Sequence, residues 1–347
     1  MPRRNPCKHL AVVLALGLAG VACKPDPVAT AAKAQARMLE TLRTKALAGD
    51  ATSQYTLALA HRMGQFGADR DDATAVSWFR RAADQNHTGA QYSLGLCYDL
   101  GRGVAANATE SAWWYHTAAT NGHAQAQYNW AVNLFNGLGV PKDEAQAQRW
   151  FLKAAEGGVA AAQFNVGVSF AMGRGVSQDD TEAARWFKKA AEQNHAAAQY
   201  SMGVAFANGR GVDRDDAQAI HWYRKAADNQ VAQAQFNLGV RYDRGDGVGA
   251  DPALSVYWYR KAAEQSLATA QYNLGMCYDT GHGVPVDRVE ALAWFTLAGA
   301  DDPDAARRRD ELERVLTGEE VESGRARSRV LAALIQARRR AQQPPRP

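Results

Sequence analysis

The sequence lacks the residue patterns that usually carry enzymatic chemistry. Its eight histidines include no His-Glu-x-x-His pair with metal-ligand spacing, and no Gly-x-Ser-x-Gly nucleophile turn occurs. Gly-x-Gly occurs at six regularly spaced turns, always without the third glycine or the Lys-Ser/Thr partner of a phosphate-binding loop. We therefore expect a protein that is not an enzyme and that holds no cofactor and no metal.

Cysteine is scarce as well, with four residues in a chain of 347. Two of them, Cys97 and Cys277, lie in the body of the chain, five periods of 36 residues apart. Packed helical layers advance about 8–10 Å each, so the two sulfur atoms should lie tens of ångströms from each other. Because a disulfide needs Cα atoms within about 7 Å, we expect both thiols to be free and to lie at the edge of the core.

No excess of one charge marks the body of the chain. The net charge of +4 arises at the ends, with three basic residues among the first 23 and eleven arginines against six acids from residue 307 onward. The residues between these segments carry 26 basic and 30 acidic side chains. A body with that balance argues against nucleic acid as the main partner.

The N-terminal segment has the pattern of an export signal. Basic residues precede an apolar run at 10–19, which is too short to span a bilayer. The following Gly-Val-Ala-Cys at 20–23 resembles the lipobox of bacterial lipoproteins. The resemblance implies acylation of Cys23 and a lipid anchor on the periplasmic side of the cell envelope, and Lys24 favours the outer membrane. An ordinary secretory signal with an incidental Cys23 is the alternative.

A period of 36 residues governs the chain from about residue 51 to residue 300. One signature is Ala-Gln followed by an aromatic residue, which begins at Ala90, Ala126, Ala162, Ala198, Ala234 and Ala270. A second signature is tryptophan followed by Phe or Tyr, at Trp78, Trp114, Trp150, Trp186, Trp222, Trp258 and Trp294. Apolar residues three and four positions apart around both signatures predict two helices per period, and therefore seven helical pairs.

The Gly-x-Gly-Val turns are predicted to connect the two helices of each pair. The first glycine would end the first helix in a left-handed conformation. An Asp or Asn three residues after the valine position would cap the second helix, at Asp71, Asn107, Asp143, Asp179, Asp215, Asp251 and Asp287. Glu or Gln three residues further predicts a reciprocal capping box at five of these caps, with Glu110, Gln146, Glu182, Gln218 and Glu290. We interpret the acids as helix caps and not as catalytic carboxylates.

The recurring units resemble the SEL-one-like repeat family, whose members are relatives of tetratricopeptide repeats. The resemblance implies an all-α fold, a right-handed α/α superhelix (solenoid) of about seven 36-residue helix-turn-helix repeats with a C-terminal helical cap. The predicted divisions are a signal peptide (1–22), a tether (23–36), the repeat array (37–300), C-terminal capping helices (301–343) and a disordered tail (344–347). A second capping box, Thr317 to Glu320, is predicted within the capping helices.

Small polar side chains form a ladder along the first helices, at Ser93, Asn129, Asn165, Ser201, Asn237 and Asn273. In tetratricopeptide relatives, side chains in this register line a groove that binds extended peptides. The resemblance therefore implies partner-binding residues, namely Asn129, Asn133, Asn165, Gln233, Asn237, Arg241 and Asn273. An amide group can donate and accept at once, so the ladder could hold a peptide backbone. The alternative is that these groups bond within their own repeats.

Two other recurring sets have structural interpretations. His87, His123 and His195 each precede the Ala-Gln-aromatic signature, and we interpret them as turn residues and not as metal ligands. Basic pairs such as Lys188-Lys189 and Arg224-Lys225 recur on the second helices and could face anionic lipid or polysaccharide. Acids four residues further along favour solvated ion pairs on the same helix instead.

The leading functional hypothesis is a lipid-anchored periplasmic adaptor or scaffold that binds another protein. That partner would be a component of an envelope assembly or a secreted effector. With an effector as partner the protein would be an immunity protein that neutralises a toxic enzyme such as a phospholipase, as some relatives do. Cysteine-rich relatives have been linked to β-lactam binding or hydrolysis, but their paired cysteines are missing here, so this is the weakest candidate.

Overall fold

The computed structural model describes residues 27–342, and every regular element in that range is an α-helix. These residues divide into two compact units, one that ends at His87 and one that begins at Thr88. The expected all-α fold of repeated helical pairs is confirmed. The predicted signal peptide, Cys23 and the tail at 344–347 lie outside the described residues.

The first unit contains three helices, α1 (Pro27–Leu47), α2 (Ala51–Met63) and α3 (Asp72–Asp84). Helices α2 and α3 form the first helical pair, and α1 packs against α2. Residues 27–36, which we expected to belong to a linker, form the first half of α1. The reason is local, because proline is favourable at the first helical position and the alanines that follow have the highest helix propensity.

The second unit contains six further pairs and two C-terminal helices. The pairs are α4 (Thr88–Leu100) with α5 (Ala108–Thr120), α6 (Ala124–Asn136) with α7 (Glu144–Glu156), α8 (Ala160–Met172) with α9 (Asp180–Glu192), α10 (Ala196–Asn208) with α11 (Asp216–Asp228), α12 (Ala232–Arg244) with α13 (Pro252–Ala263), and α14 (Ala268–Thr280) with α15 (Arg288–Ala298). Helices α16 (Pro303–Val315) and α17 (Gly318–Gln342) follow. Within this unit each second helix packs against its own first helix, and each one before α15 also packs against the first helix of the next pair.

Small residues set the close packing within each pair. A Cβ atom added to Gly203 of α10 would lie 2.5 Å from the ring of Tyr223 on α11, so only glycine admits the aromatic ring here. Gly239 and Tyr259 repeat the arrangement one pair further along. The rings are buried together with leucines such as Leu238, and full burial of each large apolar side chain stabilises the fold by about 1.5–3 kcal/mol.

The predicted turns form as expected at both of their ends. The first glycine of the turn is left-handed, with φ between 64° and 77°, at Gly64, Gly137, Gly173, Gly209, Gly245 and Gly281. The side chain of each predicted Asp or Asn cap accepts a hydrogen bond from a backbone N–H in the first turn of the second helix. The interpretation of these acids as caps is therefore confirmed.

The reciprocal half of the predicted capping boxes at these turns was wrong. The backbone N–H of the cap residue donates to a carbonyl of the preceding first helix, as from Asp179 to Phe170 and from Asp215 to Phe206, both at 3.0 Å. Because that N–H is already bonded, the Glu or Gln three residues later has nothing to accept there. Glu290, for example, accepts from the indole of Trp294 at 3.0 Å.

A buried glutamine explains the middle position of the Ala-Gln-aromatic signature. The amide nitrogen of Gln235 donates to the carbonyl of Ala227 at 3.1 Å, and its oxygen accepts from the amide of Gln265 at 2.8 Å. Gln199 makes the same two bonds with Ala191 and Asn229. Each glutamine thus joins the end of the preceding second helix to the end of the following one, in a site closed to solvent.

The C-terminal helices close the last pair as predicted. Glu320 accepts from the backbone N–H of Thr317 at 2.8 Å, and the Thr317 hydroxyl accepts from the Glu320 N–H at 3.3 Å, so this capping box is complete. Helix α17 buries Leu331 and Ile335 against the last pair. Arg327 of α17 binds Glu290 of α15 at 2.7 Å.

Candidate partner-binding groove

The predicted asparagine ladder lies on the first helices, partly buried, and bonds to the tyrosines of the preceding pair. Asn129 is hydrogen-bonded to Tyr115, Asn237 to Tyr223 and Asn273 to Tyr259. Burial, more than any charge, raises the pKa of Tyr223 and of Tyr259 to about 12. Asn165 faces a phenylalanine at the equivalent position and is bonded to Tyr128 instead. Part of the bonding capacity of each amide is therefore used inside the array.

The remaining predicted residues differ in their exposure. Asn133 is buried within α6, and Gln233 is exposed at the start of α12. The Arg241 guanidinium binds the carboxylate of Asp216 at 2.6 Å and lies 3.8 Å from that of Asp246, and only 13% of its side chain is exposed. Arg241 therefore holds two carboxylates together and is not a free partner-binding cation.

A mostly apolar cavity of about 430 Å³ opens between the first helices α8 and α10. Phe164, Val168 and Ala171 of α8 form one wall, and Tyr200 and Val204 of α10 form the other. Phe187 of α9 contributes to the lining. An exposed Met172 lies at its edge, and the charged pair of Asp180 and Arg210 also borders it.

A second, polar cavity of about 770 Å³ opens between α12 and α14. Nine of its lining residues stand 72 residues after a residue that lines the α8–α10 cavity, so the two sites are the same feature two pairs apart. The side chains differ: Ala171 is replaced by Asp243, Met172 by Arg244, and Arg210 by His282. The predicted residues Asn237 and Asn273 both line this polar cavity.

A third member of the series is a cavity of about 200 Å³ between α6 and α8. Phe135 stands where the next pair has Ala171, and Asn165 and Arg174 complete the lining. The cavities together define the first-helix groove, the row of sites between α6, α8, α10, α12 and α14. Of the predicted residues, Asn165, Asn237 and Asn273 line it.

Charged groups in the polar cavity influence one another. His282 Nε2 lies 2.6 Å from the carboxylate of Asp243. Burial raises the pKa of the Cys277 thiol to about 11, and the charge of Asp243 adds to that shift. Among residues 27–342, Arg244 has no ion-pair or hydrogen-bond partner. Sequence reasoning missed Asp243, Arg244 and His282, although their departure from the regular pattern of the repeats could have identified them.

The recurring histidines are turn residues, as predicted. The ring nitrogens of His123 and His195 accept from the backbone N–H groups of Ala126 and Ala198, both at 3.2 Å. The His195 ring also stacks on Phe164, with centroids 4.8 Å apart. Burial lowers the pKa of both histidines, so each remains a neutral acceptor.

Within the described part of the chain, Lys188 and Arg224 do not form the ion pairs expected with Glu192 and Asp228, four residues further along. The Lys189 ammonium lies 4.0 Å from the ring centre of Trp186, and Lys225 lies 4.8 Å from that of Trp222. Arg224 is hydrogen-bonded to the hydroxyl of Tyr242. For Arg224 the prediction was wrong because the hydroxyl and ring of Tyr242 in the next pair take the cation. A cation on an aromatic face stabilises by about 0.5–1 kcal/mol at an exposed site.

Residues 27–342 include both cysteines of the repeat array and the side chains that a metal ion could bind. Cys97 and Cys277 are both buried and form no disulfide with each other, as predicted. The described residues contain no group of three or more His, Cys, Asp or Glu arranged to hold a metal ion. None of the described helices has both the length and the apolar character required to cross a bilayer.

Comparison with protein families identifies the repeats. The model described as Sel1 repeat matches seven successive segments, at residues 51–87, 88–123, 124–159, 160–195, 196–231, 232–267 and 268–302. Comparison with curated proteins finds no match.

Solved structures show similar folds. A Sel1 repeat protein from Oxalobacter formigenes is 33% identical, with 81% of each chain covered and a TM-score of 0.61. The protein c5321, described as a protective antigen of uropathogenic Escherichia coli strains with an SLR fold, is 29% identical, with 89% of this chain and 75% of that chain covered and a TM-score of 0.61. The immunity protein PA5088 from Pseudomonas aeruginosa is 17% identical, with 75% and 89% covered and a TM-score of 0.39, which carries no information on function.

Proposed function

The chain belongs to the Sel1 repeat family, and we propose that it is a non-catalytic adaptor that holds a segment of another protein in the first-helix groove. The observation that carries the proposal is a contrast between two sets of positions in the repeats. The glycines of the turns, the Asp or Asn caps and the Ala-Gln-aromatic positions keep the same or a closely similar residue in nearly every pair. The position of Ala171, inside the groove, holds three unlike residue types in six pairs, namely Asp99, Phe135, Ala171, Ala207, Asp243 and Asp279.

This contrast has a physical reason. Positions that build the array meet the same neighbours in every pair, so the same residue satisfies them each time. Groove positions face space that a partner can occupy, and different side chains there produce cavities of different size and polarity. A row of unlike sites along one face is suited to an extended protein segment, whose successive side chains differ in the same way.

Site-specific photo-crosslinking in the native cells tests the proposal. Benzoylphenylalanine is introduced at Met172, which is exposed at the edge of the α8–α10 cavity, or at Tyr257, an exposed aromatic residue on the second helix α13. We expect a discrete crosslinked product from position 172 and none from position 257. Equal products from both positions, or a product from 257 alone, would contradict the groove as the binding surface.

Mass spectrometry of the crosslinked product separates the two partner classes. An envelope component would indicate a scaffold, and a secreted toxic enzyme would indicate an immunity protein. The same preparation tests the anchor that we propose at Cys23, on the periplasmic side of the outer membrane. Metabolic labelling with palmitate should mark the wild-type protein and not the Cys23→Ser variant, and labelling of both proteins would contradict the anchor.

A further inference from the structure

We infer that the first-helix groove selects a partner segment by two unlike side chains, an apolar one that enters the α8–α10 cavity and a carboxylate that enters the α12–α14 cavity. The inference rests on the proposed function and adds the chemistry of the partner. Its basis is that one cavity occurs twice in the same register with opposite character.

The α8–α10 cavity is suited to an apolar side chain. It has a volume of about 430 Å³ with Ala171 in its wall, whereas the cavity of the preceding pair, with Phe135 at that position, measures about 200 Å³. Alanine, valine, phenylalanine and tyrosine side chains form most of the wall. A large aliphatic or aromatic side chain that enters this space loses its contact with water, which is the main source of affinity at an anchor position.

The α12–α14 cavity is suited to a carboxylate. The Asp243 carboxyl group that lines this cavity already has His282 as a partner at 2.6 Å. The Arg244 guanidinium is exposed and has no partner among residues 27–342, and the amides of Asn237 and Asn273 lie in the same cavity. A guanidinium binds a carboxylate through two parallel hydrogen bonds, and amide N–H groups can satisfy its remaining lone pairs.

The separation of the two cavities sets the spacing in the partner. They lie two helical pairs apart, and packed helices of one layer are spaced by about 10 Å, so their centres should be about 20 Å apart. An extended chain advances about 3.3 Å per residue, so the two side chains should be about six residues apart. Arg241 of α12 bonds back to Asp216 of α11, between the two cavities, and Asp216 and Asp246 already neutralise it.

Panning the full-length protein against a random library of peptides about twelve residues long tests the inference, because such peptides can span both cavities. We expect enriched sequences to contain Leu, Ile, Met or Phe and, about six residues away in either direction, Asp or Glu. Enriched sequences without this pair would overturn the inference. Failure to enrich any peptide would also overturn it, and the crosslinking experiment would then judge the proposed function independently.

Two variants identify the cavities that act on an enriched peptide, and binding is followed by fluorescence anisotropy of the labelled peptide. Ala171→Phe fills the α8–α10 cavity with the residue of the preceding pair, and Arg244→Asn introduces the residue found at the equivalent positions 136 and 208. Each variant should weaken binding about tenfold. The loss from Arg244→Asn should disappear when the acidic residue of the peptide is replaced by serine.

Lys261→Thr is the matched control for charge, because it removes one positive group from the second helix α13, outside the groove, and Thr117 occupies the equivalent position. It should bind the peptide as the wild type does. Melting curves from circular dichroism establish that each variant is folded. Wild-type affinity in both groove variants, or equal weakening in all three, would overturn the assignment of the two cavities.

Discussion

Replacing Arg241 by alanine should destabilise the second unit. The guanidinium is 13% exposed and bonds to Asp216 at 2.6 Å, and it also lies 3.8 Å from Asp246. Without it, two carboxylates face each other across successive pairs. A hydrogen bond to a charged group contributes about 1.5–3 kcal/mol, and the partly exposed carboxylates reduce that to about 1–2 kcal/mol. For an array of this size the loss corresponds to a melting temperature lower by about 2–8 °C, measured by circular dichroism.

The preceding repeat shows which second substitution should restore the stability of this variant. One pair earlier, Ala205 and Arg210 occupy the positions of Arg241 and Asp246, and Arg210 binds Asp180 at 2.9 Å. The double variant Arg241→Ala with Asp246→Arg should therefore regain most of the lost stability. Arg210→Ala removes a more exposed pair and should cost no more than about 0.5 kcal/mol. A single variant as stable as wild type, or a double variant no better than the single one, would refute the account of Arg241.

At acidic pH the difference in melting temperature between Arg241→Ala and wild type should become smaller. The pKa of Asp216 lies below its ordinary value, first because Arg214 donates to it and then because Arg241 does. A carboxyl with a lowered pKa contributes stability that is present above its ordinary pKa and lost as pH falls through the lowered value. The Arg241→Ala variant lacks the share of this stability that comes from the bond between Arg241 and Asp216. The gap in melting temperature should therefore be widest near pH 7 and shrink below about pH 4.

Three further changes test individual features of the repeats by thermal or urea unfolding. Gln235→Ala removes two buried amide hydrogen bonds and should lower the free energy of unfolding by about 1–3 kcal/mol. Gln127→Ala removes one longer bond, of 3.2 Å, and should lower it less. Equal losses of stability in the two variants would contradict the bridging role of Gln235. Gly203→Ala forces a methyl group to within 2.5 Å of the buried Tyr223 ring and should destabilise the fold by about 1–3 kcal/mol. In Gly249→Ala the added methyl group meets no atom within 4 Å, so this variant should be as stable as wild type. Burial lowers the pKa of His195 in the folded state, so the contribution of His195 to stability is present above about pH 6.5 and is lost as pH falls. The variant His195→Asn, which retains a capping oxygen, should therefore lose less stability than wild type between pH 7 and pH 5. A pH profile of stability identical to that of wild type would contradict this.

The sequence located part of the first-helix groove for a physical reason, whereas partner binding by the predicted residues stays a prediction. The register of the first helices correctly placed Asn165, Asn237 and Asn273 at cavities, because side chains at helical spacing share one face whatever packs around them. The same register could not reveal that Arg241 is held by Asp216 and Asp246. Those carboxylates lie 25 residues before it in the chain and five after it, and only the stacking of one pair on the next brings all three groups together.

Local rules of the chain alone determined the helical pairs, the left-handed glycines and the Asp or Asn caps, because each depends on neighbours within a few residues. The tertiary structure decided the remaining features. It set Arg224 against Tyr242 of the next pair, joined Gln235 to Ala227 of the preceding pair, and opened three cavities of unequal size between equivalent helices. These outcomes depend on which side chain of one repeat meets which side chain of the next, and that pairing exists only once the repeats are stacked.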